Sequence, residues 1–165
     1  MQPQSAEFIA IINAHHALVQ RVCKLYCQDA DDRQDLYQEI ILQLWRAYPH
    51  YEPRAKISTW LYRVALNVAI SDLRQRTRKP AINRLDAGTP DLTLPLDPGP
   101  DPDDLAQLHQ AIGRLSDVEK AFVLLYLEDR SYEEIADILG ITQNNVRVKM
   151  HRVQDKLRQL LTQLA

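Results

Sequence analysis

The chain is poor in the features that mark secreted, membrane-spanning and disulfide-bonded proteins. Its 165 residues include only two cysteines, Cys23 and Cys27, so no disulfide framework is expected and a reducing compartment suits the protein. No apolar run approaches the roughly 20 residues that cross a bilayer. The opening residues, MQPQSAEF, lack the basic region and apolar core of a signal peptide. We therefore expect a soluble cytoplasmic protein that does not insert into a membrane.

An excess of charge of one sign is also lacking. The chain has 20 Lys and Arg against 22 Asp and Glu, for a net charge of −2. It is not a polycation, so any binding of nucleic acid must come from local patches. With 45% apolar residues, the composition is that of one globular domain or two small ones.

Proline and acid are concentrated in one segment, residues 80–104. It holds six of the nine prolines and six Asp against the single basic residue Arg84. Proline blocks helix formation, and like charges keep a segment extended. We expect a flexible linker here, with one domain over residues 1–79 and a second over residues 105–165.

Both flanks show apolar residues at helical spacing, and neither shows the alternation typical of strands. Helix starts are predicted after Ser58 and Thr142, and at two pairs with capping-box spacing, Ser116 with Glu119 and Ser131 with Glu134. The predicted fold is all-α, with two small helical domains joined by the linker. The apolar stripes are Phe8, Ile12, Val19, Val22 and Tyr26; Leu36, Ile40, Leu44 and Tyr48; Trp60, Leu61, Val64, Ala65 and Val68; and Leu105, Leu108, Ile112 and Leu115.

The segment from Ser131 onward has the spacing of a helix-turn-helix. Gly140 allows a tight left-handed turn, the small Ala136 permits a close helix crossing, and Val146 packs the second helix back on the first. An ordinary pair of antiparallel helices is the alternative. Charge favours DNA binding, because residues 114–140 carry three basic and seven acidic residues whereas residues 141–165 carry five and one.

The last helix is predicted to bury Val146, Met150, Val153 and Leu157 on one face. Its outward side then presents amides and basic groups suited to base edges and phosphates. The one apolar member of that side, Val148, either meets a thymine methyl group or is a chance exposed valine. The predicted DNA-binding residues are Asn144, Asn145, Arg147, Val148, Lys149, His151 and Arg152.

The first domain carries a separate pattern of aromatic, amide and basic residues. Trp60, Tyr62, Arg63 and Asn67 precede residues 74–79, which hold four basic groups and no acid. Flat rings stack on unpaired bases while amides and cations reach base edges and phosphates, so the pattern suits single-stranded nucleic acid. The alternative is that the aromatic residues line the core and the tail is solvated.

Two motifs together resemble a known family. The pattern D-L-x-Q-E-x-x-x-x-L-W at residues 35–45, followed by S-T-W-L-Y-R-V-A-L-N at 58–67, resembles the promoter-melting domain of bacterial RNA polymerase sigma factors. The pattern L-S-D-V-E-K at 115–120, followed by S-Y-E-E-I-A-D-I-L-G and N-V-R-V-K-M-H-R, resembles their −35-binding domain. With two domains and a linker, the chain is similar to the extracytoplasmic-function class.

The resemblance implies a transcription initiation factor that performs no covalent chemistry and needs no cofactor or metal. It implies binding to core RNA polymerase near Asp35, Leu36, Gln38, Glu39, Leu44 and Trp45, with burial of Leu36 and Leu44 as the competing explanation for those two. It implies capture of the −10 element by Tyr51, Arg54, Lys56, Trp60, Arg63 and Asn67.

The family also implies duplex −35 contacts at Arg147, Lys149 and Arg152. Members are commonly held inactive by an anti-sigma factor, so such a partner is expected and a small-molecule substrate is not. Gln143-Asn144-Asn145 stand where many members have a small residue and glycine, and Val148 stands where serine is usual. The resemblance therefore implies placement of this helix in the groove but not a particular −35 sequence preference.

The same residues are compatible with other functions. A two-domain regulator would bind operators without polymerase. The acids Asp29, Asp31, Asp32 and Asp35 suggest a metal-dependent nuclease, but acids at a helix start are explained by capping. His16, Cys23 and Cys27 share a helical face and suggest zinc or redox sensing, whereas burial of the cysteines in the core is the favoured interpretation.

Overall fold

The computed structural model describes residues 3–78 and 101–165, and the side chains of 3–75 and 101–165. It divides into two compact units, Met1–Leu85 and Asp86–Ala165. All regular structure in the described ranges is helical, which confirms the all-α prediction, and residues 80–100 of the predicted linker lie outside those ranges. The helices are α1 Pro3–Ala14, α2 His16–Tyr26, α3 Ala30–Ala47, a 3₁₀ turn Tyr48–His50, α4 Ile57–Arg78, α5 Pro102–Gly113, α6 Asp117–Leu127, α7 Tyr132–Leu139 and α8 Gln143–Leu164.

The core of unit 1 lies where α2, α3 and α4 pack together. The first apolar stripe of the sequence is divided between two helices, because His15 leaves helical geometry at φ −115° and ψ 19°. From α1 only Phe8 is buried, whereas α2 buries most of its apolar residues. The main core residues are Val19, Val22, Leu36, Ile40, Leu44, Leu61, Tyr62, Ala65, Leu66 and Ala69.

Helix α4 begins earlier, and faces the core differently, than its sequence predicts. Ser58 lies within the helix, and the Lys56 carbonyl accepts the first hydrogen bond, from the Trp60 amide at 3.2 Å. The predicted core members Val64 and Val68 are only half-buried, while Tyr62 is fully buried. The difference arises because α4 has apolar residues on several sides, and its packing against α2 and α3 selects among them.

The acidic cluster before α3 caps that helix, as the sequence indicated. The Asp29 side chain accepts a hydrogen bond from the Asp31 amide at 3.1 Å, and Asp31 and Asp32 lie in the first turn. Carboxylates there satisfy exposed amides and interact favourably with the positive end of the helix dipole. This role accounts for the cluster without a metal ion.

Unit 2 begins its first helix inside the predicted linker. The Asp101 side chain accepts from the Asp103 amide at 3.2 Å, and Pro102 occupies the start of α5. Proline at that position needs no amide hydrogen bond, so it starts the helix rather than blocking it. The prediction that residues 102–104 belong to the linker is therefore wrong.

The helix-turn-helix geometry is present in α7 and α8. Gly140 adopts the left-handed conformation at φ 69° and ψ 35°, and its amide donates to the Ala136 carbonyl at 2.9 Å. Thr142 then caps α8 by accepting from the Asn145 amide at 3.2 Å. The core of the unit comprises Ala111, Ile112, Phe122, Leu124, Leu125, Ile135, Ile138, Val146, Met150 and Val153.

None of the described helices is a candidate for a membrane-spanning segment. Across the described residues, none combines the length and the apolar character needed to cross a bilayer.

Candidate nucleic-acid and protein interfaces

Helix α8 has a clear inner and outer face. Val146, Met150 and Val153 are buried against the rest of unit 2. All seven residues predicted to contact duplex DNA are exposed, including Val148, of which 43% is accessible. The outer face can therefore approach a ligand without rearrangement of the core.

The positive charge of this outer face is concentrated in its first turns. Asp155 is the one acid between residues 141 and 165. Its carboxylate lies 3.3 Å from the Arg158 guanidinium and 3.3 Å from His151 Nε2, a contact that is ionic when His151 is protonated. Because Asp155 is partly neutralised there, Arg147 and Lys149 present the positive charge that phosphates require.

One carboxylate connects α8 to the start of α6. Glu119 Oε2 accepts from the Ser116 amide at 2.8 Å and from Lys156 Nζ at 2.8 Å, while the Ser116 hydroxyl accepts from the Glu119 amide at 3.3 Å. Burial raises the pKa of Glu119, but hydrogen bonds from Lys156 and Ser116 and the charge of Lys156 outweigh burial and lower it. The predicted capping box is thus confirmed, and it also holds α8.

Unit 1 contains an aromatic cluster of Phe8, Trp45, Tyr48, Tyr51 and Trp60. The Phe8 and Trp45 rings meet edge to face at 5.1 Å, and the Tyr51 and Trp60 rings are 5.0 Å apart. The Tyr48 ring lies 5.4 Å from Phe8 and 6.2 Å from Trp60, so it joins the two pairs. Trp60 is half-buried, so one part of its ring supports the fold while another part remains accessible.

The loop before α4 is held at its base and exposed at its tip. The Tyr51 hydroxyl donates to the Ala55 carbonyl at 2.8 Å. Arg54 is 93% exposed and lies 4.0 Å from Glu52, and Lys56 is exposed as well. The loop therefore presents two cations beside the aromatic cluster, as a base-capturing loop requires.

Asn67 and Arg63 are exposed on α4, one turn apart. Asn67 also lines a cavity of about 620 Å³ between α3 and α4, together with Asp35, Glu39 and Asp72. The sequence did not reveal this proximity, because it depends on how α3 and α4 pack. Carboxylates so close to Asn67 disfavour phosphate, so any contact there suits a base edge better than a nucleotide backbone.

The predicted polymerase-binding residues on α3 separate into two groups. Asp35, Gln38, Glu39 and Trp45 are exposed, with 42% of Trp45 accessible. Leu36 and Leu44 are 2% and 0% exposed and lie in the core, which corrects their prediction as contact residues. Leu42, which the sequence analysis missed, is exposed on the same side, and its spacing of four residues from Gln38 was the available signal.

Cys23 and Cys27 are both buried, as the favoured interpretation predicted. The pKa of the Cys23 thiol is raised to about 12, mainly by burial and secondly by the neighbouring Cys27. The charge of Arg33 lowers this pKa by a smaller amount. His16 is exposed, with Nδ1 2.7 Å from the Tyr37 hydroxyl. Among the described residues, no group of three or more potential ligands could hold a metal ion.

Comparison with known families gives two matches in the order of the two units. Residues 11–79 match sigma-70 region 2, and residues 105–164 match sigma-70 region 4.

Individual proteins agree with these matches. The RNA polymerase sigma factor CarQ of Myxococcus xanthus is 35% identical over 137 residues, which cover 79% of this chain and 75% of that protein. The ECF RNA polymerase sigma factor SigW of Bacillus subtilis is 26% identical over 168 residues, covering 95% and 90%.

Two solved structures share the fold. CnrH in complex with the cytosolic domain of CnrY matches with a TM-score of 0.69 at 20% identity, covering 98% of this chain and 91% of that chain. The sigma factor RpoE in complex with the anti-sigma factor NepR from Bartonella quintana matches with a TM-score of 0.64 at 20% identity, covering 96% of each.

Proposed function

The chain belongs to the sigma-70 family as an extracytoplasmic-function sigma factor, and from this premise we propose how its two units divide promoter recognition. A sigma factor directs core RNA polymerase to promoters and assists their melting. Core polymerase and promoter DNA are therefore its partners, and it acts in transcription initiation. The assignment of individual residues to those partners is our proposal.

Polymerase binds unit 1 through Asp35, Gln38, Glu39 and Trp45 on α3. Their exposure on one helix, with Leu36 and Leu44 anchoring the opposite side, supports this assignment. Three polar side chains and one indole ring offer both directional hydrogen bonds and a large apolar contact, a combination common at protein interfaces.

The −10 element binds the surface formed by the loop at residues 51–56 and the exposed side of α4. Tyr51 and Trp60 supply ring surface, Arg54 and Lys56 supply cations, and Arg63 and Asn67 reach base edges. Selective binding of unpaired bases shifts the promoter toward its melted state, because a ligand favours the state to which it binds better. No bond is made or broken, and no cofactor is needed.

The −35 element binds unit 2 through the outer face of α8, from Asn144 to Arg152. The single observation that carries the proposal is this division of α8, whose apolar face is buried while its amide and basic face is exposed. Such a helix can enter the major groove with its first turns directed at base edges.

The protein works in the cytoplasm with polymerase, and an anti-sigma factor regulates it. The proposal of an anti-sigma factor is supported by the fold that the chain shares with RpoE and CnrH, whose structures were solved in complex with the anti-sigma factor NepR and with the cytosolic domain of CnrY.

Run-off transcription with purified core polymerase tests the proposed function. Templates come from a genomic promoter library, and reactions run with and without the chain. We expect transcripts from a discrete subset of templates only when the chain is present. Binding of the chain to duplex sites without any association with core polymerase would support an operator-binding regulator instead.

A further inference from the structure

A cavity between α2 and α3 has no part in the proposed function. Its volume is about 350 Å³, at the lower end of the range for small-molecule sites. Helix α2 contributes His16, Gln20, Cys23 and Lys24, and α3 contributes Arg33 and Tyr37 among others. His16 and Cys23 are two members of the constellation that first suggested a zinc or redox site.

The formally charged side chains that line the cavity are basic. Lys24 and Arg33 are its cations, and none of the described residues that line it is acidic. Burial raises the pKa values of both the Cys23 thiol and the Tyr37 hydroxyl, so neither of these two groups adds a negative charge. Arg33 and Cys23 both line the cavity, and the charge of Arg33 acts on the Cys23 thiol. A negative group is the natural complement of this environment.

The walls favour an organic ion over an inorganic one. Cys23 and Ala30 provide small apolar surfaces, and the Tyr37 ring provides a flat one. The Tyr37 ring is fixed, because its hydroxyl lies 2.7 Å from His16 Nδ1 and the two rings meet edge to face at 5.4 Å. Apolar walls with a few polar groups are the usual composition of a small-molecule pocket.

The cavity is on a different side of α3 from the proposed polymerase contacts. Its α3 residues are at positions 30, 33, 34 and 37, whereas the exposed contacts are at 35, 38, 39 and 45. At 100° per residue these sets define two separate sides of the helix. A ligand can therefore occupy the cavity without covering the polymerase-binding side chains.

We propose that this α2–α3 cavity binds a small aromatic carboxylate, with Arg33 pairing with the carboxylate and Cys23, Ala30 and Tyr37 contacting the ring. The ligand bridges two helices of unit 1 and stabilises their packing. The ligand is bound and not chemically changed.

Titration of the full chain with benzoate and with benzamide tests the site, using calorimetry and thermal unfolding. The two probes share a ring and a planar shape but differ in charge. We expect saturable binding of benzoate, and binding of benzamide weaker by roughly ten-fold or more, because a charge-assisted hydrogen bond is much stronger than a neutral one. Arg33→Gln should weaken benzoate binding by a similar factor and leave benzamide unaffected.

Arg46→Gln is the matched control, since Arg46 is also on α3 but does not line the cavity. It should bind benzoate as the unaltered chain does. Arg33→Lys retains the charge and should bind benzoate more tightly than Arg33→Gln does. It also tests the role of charge if Arg33→Gln folds poorly. Equal binding of the two probes, equal effects of the Arg33 and Arg46 variants, or no saturable benzoate binding would each overturn the proposal. The measurements need no polymerase, so they stand apart from the test of sigma activity.

Discussion

The two units support their interfaces in different ways. In unit 2 the core residues and the proposed DNA-binding residues occupy different faces of α8, and no residue of the helix belongs to both. In unit 1 the aromatic cluster combines packing with the proposed recognition of bases, because Trp60 contacts Tyr48 and Tyr51 while remaining half-exposed. Stability and binding should therefore be separable by mutation in unit 2 and coupled in unit 1.

The difference follows from the kind of nucleic acid that each unit is proposed to meet. Duplex DNA presents an ordered groove, which a rigid helix enters with polar side chains. Unpaired bases present flat apolar faces, so the residues that bind them are the same rings that a protein core prefers. Recognition of single strands therefore uses side chains that would otherwise be buried.

The largest change in stability is expected from Met150→Ala, on the buried face of α8. Truncation of a fully buried methionine leaves a cavity and lowers the free energy of unfolding by about 2–5 kcal/mol. Thermal or urea denaturation of the full chain, followed through unit 2, measures it. Affinity for −35 duplex should be lost only to the extent that the unit unfolds. Full stability with lost affinity would contradict the division of α8 into two faces.

Trp60→Ala should lower both stability and nucleic-acid binding, because the two are expected to be coupled in unit 1. Loss of its ring contacts should lower the free energy of unfolding by about 1–3 kcal/mol, since the ring is only half-buried. The same change should slow open-complex formation by roughly ten-fold, because stacking contributes about 1–3 kcal/mol per base. Denaturation and permanganate footprinting of the −10 region measure the two effects. Trp60→Phe is the control that keeps an aromatic ring. It should restore most of the stability and most of the rate of open-complex formation.

Arg147→Ala should show the separation expected in unit 2. A specific contact of arginine with a base contributes about 1–3 kcal/mol of discrimination, so affinity for the preferred −35 duplex should fall and sequence preference should relax. The denaturation midpoint should not change, because Arg147 is exposed. Competition binding against mismatched duplexes measures the preference. Unchanged discrimination at moderate salt would remove Arg147 from the DNA contacts.

Asn67→Ala should affect melted and duplex promoters unequally. Binding of polymerase holoenzyme to a fork template with an unpaired −10 strand should weaken several-fold, by about 1 kcal/mol, because one base-edge hydrogen bond is lost. Binding to the fully paired promoter should hardly change. Ser71→Ala, which alters another residue of the same cavity, is the matched control. Equal weakening on both templates would exclude Asn67 from the single-strand surface.

The smallest effect is expected from Glu119→Gln, which removes the charge that faces Lys156. The amide still accepts from Ser116, so the loss should be below about 1 kcal/mol for this partly exposed pair. The pKa of Glu119 is lowered in the folded chain, so its contribution is present above the unfolded pKa and is lost as pH falls through the folded pKa. Unfolding of the two chains should therefore differ at neutral pH and converge in acid. A difference that persists in acid would assign the effect to packing.

Local signals made much of unit 2 predictable from sequence. Ser116, Thr142 and Gly140 act on their own turns, so their capping roles require no knowledge of distant residues. The inner face of α8 was predictable for the same reason, since its apolar residues follow one clean helical period.

Unit 1 was less predictable because its decisive features depend on packing between helices. The break at His15 lacks a proline or glycine, so no local signal marks it. The burial of Tyr62, the proximity of Asn67 to Asp35 and Glu39, and the α2–α3 cavity each arise only when two helices meet. The start of α5 was mispredicted for another reason. Proline disfavours the interior of a helix, but Pro102 follows the capping residue Asp101 and therefore starts the helix.

The hydrogen bond from the Tyr51 hydroxyl to the Ala55 carbonyl closes residues 51–55 into a small ring before any nucleotide arrives. A loop constrained in this way loses less conformational entropy on binding than an unconstrained loop of the same length. Its shape is therefore partly set in advance, so the proposed capture of a −10 base would select by fit to a preformed loop and not by the ordering of a flexible one.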